Sequence, residues 1–279
     1  MTTPPLPLIG PGRLSALGQG TWRMGETPDR RSSEQDALRY GIAEGLTVID
    51  TAEMYGDGAT EALLGDTLTG LRDDVYLVSK VYPHNAGGVA LQRACEASLK
   101  RLRTDRLDLY LLHWRGRVPL DETVAGMRAL QRAGKIRAWG VSNFDRDDMR
   151  DLDTAQGATR DCACNQVLYN LTRRGPEFDL MPWMRARNMP LMAYSPLEQG
   201  RLSHKILERI AHSRGVRPMQ IALAWVLQQA GVIAIPKAGT RAHVRMNVEA
   251  ANLELSPLEC SALDRAFPPP VAKAPLDML

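Results

Sequence analysis

Leu46-Thr47-Val48-Ile49-Asp50-Thr51-Ala52-Glu53-Met54-Tyr55-Gly56 is the stretch on which the reading of this chain turns. The apolar run from Leu46 to Ile49 has the character of a buried parallel strand. It stops at Asp50, which leaves a carboxylate at the strand end. Tyr55 follows just before the loop signal Gly56-Asp57-Gly58. Alone, an Asp after a strand is commonly a turn or capping residue. Two further runs repeat the pattern: Val75-Tyr76-Leu77-Val78-Ser79 ends in Lys80, and Leu107-Asp108-Leu109-Tyr110-Leu111-Leu112 ends in His113. Asp, Tyr, Lys and His at successive strand ends are the parts of a proton-donating site.

Working outward, strand-like runs are expected at 14–20, 46–50, 75–80, 107–112, 136–141, 163–167, 190–193 and 231–235. Helical spacing falls between them, at 32–44 with Ser33 as cap, 61–68, 89–101, 121–133, 146–155, 178–187, 205–214 and 219–229, and then at 241–251 and 257–267. The first helix shows the pattern plainly, with Ala37, Leu38, Ile42 and Ala43 on one face and Gly45 as its stop. A Pro/Gly-rich lead before the first strand suits a hairpin, and the Pro-rich tail from Pro268 suits an irregular surface coat. Units recur about every thirty residues without a linker, which fits right-handed βα crossovers. An open doubly wound sheet would want G-x-G-x-x-G opening its first helix, and Gly18-Gln19-Gly20 lacks the third glycine. The expectation is a single-domain α/β fold over 1–279, a (β/α)8 barrel with C-terminal helices and a short tail. In such a barrel the carboxyl ends of the strands form the active face.

Composition excludes several classes. A net charge of +3 is too small to argue for a nucleic-acid or membrane partner. No run is long and apolar enough for a membrane span, and Met1-Thr2-Thr3-Pro4-Pro5 has no basic, apolar leader, so a cytoplasmic protein is expected. The four cysteines have no second pair at metal spacing. The thiols of Cys162-Ala163-Cys164 are assigned to opposite strand faces and to the reduced state, and no metal is expected. No heptad or apolar stripe calls for an obligate oligomer, so a monomer is expected.

The chemistry follows from the residue types. A phenol titrates near about 10 and gives up its proton reluctantly at neutral pH. An adjacent Lys80 ammonium would favour the phenolate of Tyr55 and lower that value. Asp50 would hold Lys80 charged, and His113 would orient a substrate oxygen against the phenol. Each residue has an ordinary reading as well: a snorkelling lysine, its surface partner, a core histidine, a packed loop aromatic. Their convergence at one barrel mouth favours the catalytic one.

These motifs resemble the aldo-keto reductases, carbonyl reductases that use NAD(P)H on a (β/α)8 barrel. The likeness runs from Leu17-Gly18-Gln19-Gly20-Thr21-Trp22 to the last helix. It rests on Ile49-Asp50-Thr51-Ala52-x-x-Tyr55-Gly56, Asp108-Leu109-Tyr110-Leu111-Leu112-His113-Trp114, Gly140-Val141-Ser142-Asn143-Phe144 and Ile235-Pro236-Lys237. The short bacterial members similar to methylglyoxal and diketogluconate reductases are nearest in detail. The resemblance implies a catalytic tetrad of Asp50, Tyr55, Lys80 and His113, with Tyr55 as general acid. It implies a cofactor lying against Thr21, Trp22 and Asp50. Ser142, Asn143 and Gln166 would hold the carboxamide, and Tyr194 would stack on the ring. Ser195, Pro196, Leu197 and Gly200 would run along the pyrophosphate. Pro236, Lys237, Ala238, Gly239, Thr240, His243 and Asn247 would meet the adenosine end. Trp22, Tyr55, Tyr82, His113 and Trp114 would line the site of a small carbonyl substrate.

His243 and Met246 stand where many members of that family have Arg and Glu, and Ala238 replaces the usual serine. Loss of that Arg argues against a strict preference for NADPH, but Lys237, Arg241 and Arg245 still supply a basic neighbourhood, so the expected cofactor is NADPH, with NADH as a second donor. Two other readings compete. One is a cofactor-binding regulatory subunit on the same barrel, with little turnover. The other is an aldolase or isomerase using Lys80 as a Schiff base.

Overall fold

The computed structural model describes residues 15–279; Leu14 and the expected hairpin in the lead lie outside them. Eight parallel strands pair in chain order: β1 (Gln19–Gly20), β2 (Val48–Asp50), β3 (Tyr76–Val81), β4 (Leu107–Leu112), β5 (Ile136–Ser142), β6 (Cys162–Leu168), β7 (Leu191–Tyr194) and β8 (Val232–Ala234). The helices are α1 (Arg31–Ala43), α2 (Ala59–Thr67), α3 (Gly88–Leu102), α4 (Leu120–Arg132), α5 (Arg146–Thr154), α6 (Leu180–Arg185), α7 (Lys205–Arg214), α8 (Pro218–Leu227), α9 (Arg241–Ala251) and α10 (Pro257–Ala266).

The sheet closes between β8 and β1. Gly18 N donates to the Ala234 carbonyl at 2.8 Å, Ala234 N to Ala16 at 2.8 Å, and Gly20 N to Pro236 at 3.1 Å. A Cβ on Gly20 would lie 2.5 Å from the Ile235 carbonyl oxygen, so a side chain there would force the seam apart. This seam explains why the expected first strand shrinks to two ladder residues. Leu17 bridges Ala234 on β8, while Gln19 and Gly20 pair with β2.

Strand alternation then builds the site. One face of β4, with Leu109 and Leu111, packs with Val48, Val78, Cys164, Met192 and Ile233 inside the barrel; Tyr110 and Leu112 face the helices. Two residues farther along the same inner face stand Asp50 above Val48, Lys80 above Val78, Gln166 above Cys164 and Tyr194 above Met192. The interior turns polar in its last layer before the mouth. Lys80 therefore lies within β3 rather than at its end, since the strand runs on to Val81.

Other boundaries shift for local reasons. A 3-10 turn at Pro28–Arg30 initiates α1, and Ser33 donates to the Arg30 carbonyl instead of capping the helix. Helix α6 spans six residues, shorter than expected. Regular alternation would put Cys162 and Cys164 on the same face. A register shift between Trp139 and Val141 on the β5–β6 pairing separates them, with Cys162 toward the helices and Cys164 inside the barrel. All four thiols are free. Among the described residues no helix is long and apolar enough to cross a membrane.

Candidate active site

Lys80 is fully buried and commits its ammonium to three acceptors: Asp50 Oδ2 at 2.8 Å, the Thr51 carbonyl at 2.9 Å and Tyr55 Oη at 3.0 Å. An ammonium has three N–H donors, so this lysine is saturated. Since Tyr55 Oη accepts from Lys80, its own proton is left to point elsewhere. Asp50 Oδ1 accepts from Gln166 Nε2 at 2.8 Å, and Thr21 Oγ1 donates to the Asp50 carbonyl at 2.8 Å. The carboxylate, the ammonium and the phenol thus form one chain of hydrogen bonds running outward.

Burial pushes the Lys80 ammonium toward losing its proton, but the Asp50 carboxylate, with Tyr55, offsets this and the net shift is upward. For Tyr55, burial raises the pKa, Lys80 lowers it and Asp50 raises it again, and the net shift is also upward. This corrects the expectation that Lys80 would bring the phenol down. Lys80 acts in that direction, but burial is the larger effect. The phenol therefore stays protonated at neutral pH, as an acid must before it acts. Burial, with the Lys80 charge, depresses His113 to about 2. His113 is a neutral hydrogen-bonding group, not a reservoir of protons. It stands edge-on to Tyr55, with ring centroids 6.0 Å apart, and its Nδ1 finds no partner among the described residues.

The amide-bearing strand ends meet beside this chain. Asn143, at a φ of 58°, donates to the His113 carbonyl at 3.1 Å and accepts from Tyr194 Oη at 3.0 Å. Ser142 Oγ donates to the Gln166 carbonyl at 2.8 Å. Gln166 Nε2 also faces Met192 Sδ at 2.9 Å, leaving the amide oxygen as its remaining acceptor. Burial pushes the Tyr194 phenol up to about 12.

An elongated cleft of about 550 Å³ runs from this centre along Trp22, Tyr194, Ser195, Pro196, Leu197 and Gly200 to Pro236, Lys237 and His243. His243 also lines a second cavity of about 400 Å³, with Asn247 and Met246. A third, of about 270 Å³, lies over Tyr55, His113, Trp114 and Asn143. The remaining expected residues lie beside these spaces without lining them. Ala238 is buried, Gly239 sits against the Lys237 side chain, and Thr240 caps α9. Tyr82 packs edge-on against Trp114 at 5.8 Å and stacks on His84 at 4.9 Å.

Several lining residues carry no signal in the sequence. Met54 and Leu279 border both the long cleft and the space over Tyr55, and Met278 borders the latter. The tail is therefore more than a surface coat, since its last residues reach the mouth. Arg217 lines the cavity with Asn247, and no motif marks it. Arg241, expected in the basic neighbourhood, is committed to Asp36 by two contacts of 2.6 and 2.5 Å.

The Aldo/keto reductase family profile matches residues 16–267. The chain belongs to the aldo/keto reductase family. It is 54% identical over 272 residues to methylglyoxal reductase YeaE of Escherichia coli, covering 95% of each chain. It is 32% identical to a glyoxal reductase of Bacillus subtilis, over 82% of each chain. An aldo-keto reductase from Klebsiella pneumoniae, solved in complex with NADPH, superposes with a TM-score of 0.96 at 51% identity over 100% of both chains.

Proposed function

We propose that this chain is an NADPH-dependent reductase of short aldehydes, 2-oxoaldehydes such as methylglyoxal among them, with Tyr55 as the proton donor. The saturated Lys80 ammonium carries this reading, because one of its three N–H groups is spent on Tyr55 Oη and leaves the phenol proton free for a substrate. The space suits a dinucleotide: a long cleft begins at the polar centre and meets a second cavity at His243. When bound, the cofactor supplies the hydride. Ser142, Asn143 and Gln166 offer donors and acceptors to its carboxamide, and Tyr194 a face to its ring. Ser195, Pro196, Leu197 and Gly200 would flank its pyrophosphate, while Lys237, His243 and Asn247, joined by Arg217, would meet its adenosine end.

Neutral His113 orients the carbonyl oxygen toward Tyr55 Oη. As that oxygen gains negative charge the phenol proton moves to it, and Lys80 stabilises the phenolate left behind. Asp50 keeps the ammonium in register. Trp22, Trp114, Met54 and the tail residues Met278 and Leu279 wall the mouth, which suits small substrates of varied shape. A single-domain monomer over 1–279, acting in the cytoplasm, completes the reading. A saturated Lys80 beside a phenol whose proton is free supports turnover over a purely regulatory role.

Tyr55→Phe tests it. The ring and its packing stay while the transferable proton goes. The single-turnover rate of NADPH oxidation by methylglyoxal should fall by roughly 10²–10⁴-fold, the usual range for a general acid, with the NADPH Kd nearly intact. A folded variant with wild-type rate would reject Tyr55 as the acid.

A further inference from the structure

The side of β3 that faces away from the barrel interior holds a second charge pair that the proposed chemistry does not use, a fully buried carboxylate with a part-exposed arginine. Glu61, on the first turn of α2, is fully buried. Its Oε1 accepts from Ser79 Oγ at 2.6 Å, and its Oε2 accepts from Arg101 Nε at 2.7 Å. Both partners matter for where they stand. Ser79 immediately precedes Lys80 on β3. Arg101, on α3, runs beneath the loop that follows Tyr55.

That loop is conformationally demanding. Gly56, Asp57 and Gly58 all sit in the left-handed region, with φ of 56°, 49° and 89°. For the non-glycine residue this is a sparsely populated conformation that persists only when its surroundings enforce it. A Cβ on Gly58 would fall 2.6 Å from Arg101 Cδ and 2.7 Å from Nε. The guanidinium therefore packs directly against the loop backbone. Arg101 also reaches Ser98 Oγ at 3.2 Å, which fixes it on its own helix.

We propose that Glu61, Arg101 and Ser79 are positioning residues that hold the Tyr55 loop and the Lys80 strand in one register. The carboxylate is the junction, with one oxygen on the strand through Ser79 and the other on the loop through Arg101. A buried carboxylate must keep both partners or bear an uncompensated charge, so the junction resists stretching. What it holds is the 3.0 Å contact between Lys80 Nζ and Tyr55 Oη on the other side of the strand. Displacements of about 1 Å at a reacting centre can cost on the order of 10²-fold in rate. The inference rests on Tyr55 as the acid, so Tyr55→Phe is measured in the same series.

The test is Arg101→Met beside Arg101→Lys, with Ser79→Ala as the variant least able to disturb folding. Four quantities are read: the single-turnover rate of NADPH oxidation by methylglyoxal, its pH profile, the NADPH Kd and the Tm. Arg101→Met should lower the rate about tenfold or more, with the NADPH Kd within about twofold. It should also move the basic limb of the pH profile upward, because Lys80, held less closely, lowers the Tyr55 pKa less. Arg101→Lys should recover most of the rate, and Ser79→Ala should give a smaller loss with the same direction of limb shift. A lowered Tm with wild-type rate and pH profile in the folded Arg101→Met would overturn the proposal. If that variant does not fold, wild-type rate and profile in Ser79→Ala would overturn it equally. A Tyr55→Phe variant that keeps its rate would reject the general-acid reading instead, so the two failures are distinguishable.

Discussion

Lys80 and Lys237 occupy the same end of one barrel in opposite conditions. Lys80 has no exposed side-chain surface and three hydrogen-bond acceptors. Lys237, beyond the end of β8, is 37% exposed, and the carboxylate near it, Glu34, is 3.9 Å away. The contrast extends to their surroundings. The half of the mouth around β2 and β3 is tied together by its own side chains. The half from β8 to α9 leaves Lys237 and Arg245 exposed to solvent, although Arg241 there is paired with Asp36. A group that must hold a proton donor in place is built closed, because a misplaced acid is a useless one. A group that must receive a large, charged ligand is left open, because its partner arrives from solvent.

Removing each lysine should separate these designs. Lys80→Met leaves Asp50 buried without its cation, a change that costs about 3–5 kcal/mol when one partner of a buried pair is lost. Turnover should fall with stability, since Tyr55 also loses its ammonium. Lys237→Met should leave unfolding free energy within about 0.5 kcal/mol of wild type, as surface changes generally do. It should weaken NADPH binding by about 1.5–3 kcal/mol, the worth of a hydrogen bond to a charged group. Denaturant melts and cofactor titration read both. Equal effects of the two substitutions on stability would erase the distinction between a closed and an open half.

A second effect, smaller near neutrality, belongs to the closed half alone. His113 is held neutral, with its pKa depressed from 6.5 to about 2 by burial and by Lys80. Between those two values the unfolded chain binds a proton that the folded chain refuses, so stability must fall as pH drops below 6.5. Above 6.5 both states are neutral and the residue contributes no slope. By pH 5 the loss amounts to about 2 kcal/mol for this one group. His113→Asn should remove that part of the acid-side slope, as measured by the difference in unfolding free energy between pH 7 and pH 5. A variant with the wild-type slope would mean that water reaches the imidazole and lets it charge in the fold.

The closed half is also the legible half. Asp50, Lys80 and His113 announce themselves because polar residues interrupt apolar strand runs, and strand alternation carries them to one layer; Tyr55 reaches that layer from the turn Tyr55–Gly58 after β2. The barrel is readable for the same reason. The seam is not, since nothing in 14–20 says which residues pair with β2 and which with β8. The fate of Arg241 is hidden as well. Its charge can be counted, but its commitment to Asp36 depends on α1 and α9 lying side by side. Arg217 and Met278 stay invisible because they reach their cavities from regions distant in sequence, with no motif around them. Glu61 follows the recognised Tyr55 stretch closely in sequence, yet its partners Ser79 and Arg101 come from β3 and α3. The net direction of the Tyr55 shift departs from expectation because the sequence names the neighbouring charge but not the extent of burial, which acts more strongly on the phenol.

The smallest expected effect lies in the open half, at His243. This residue lines both the long cleft and the cavity containing Asn247 and Arg217. Its backbone N–H is bound by Thr240 Oγ1 at 3.3 Å in the first turn of α9. That turn therefore holds its shape whatever side chain position 243 carries. A guanidinium there presents a planar fork suited to a phosphate and keeps its charge at any pH an enzyme meets. NADPH and NADH differ by one phosphate at the adenosine end, so the substitution His243→Arg should act on one cofactor and hardly on the other. The site is solvent-exposed, and screening reduces the gain below that of a buried pair. An increase of a few-fold up to about tenfold in the preference for NADPH over NADH is expected, with NADH affinity nearly constant. The preference is read as the ratio of the two dissociation constants, at low and at moderate salt. A gain that shrinks with salt would place the new charge beside the phosphate. An unchanged ratio would mean that the phosphate is met elsewhere on this face, with Arg217 as the next cation to replace.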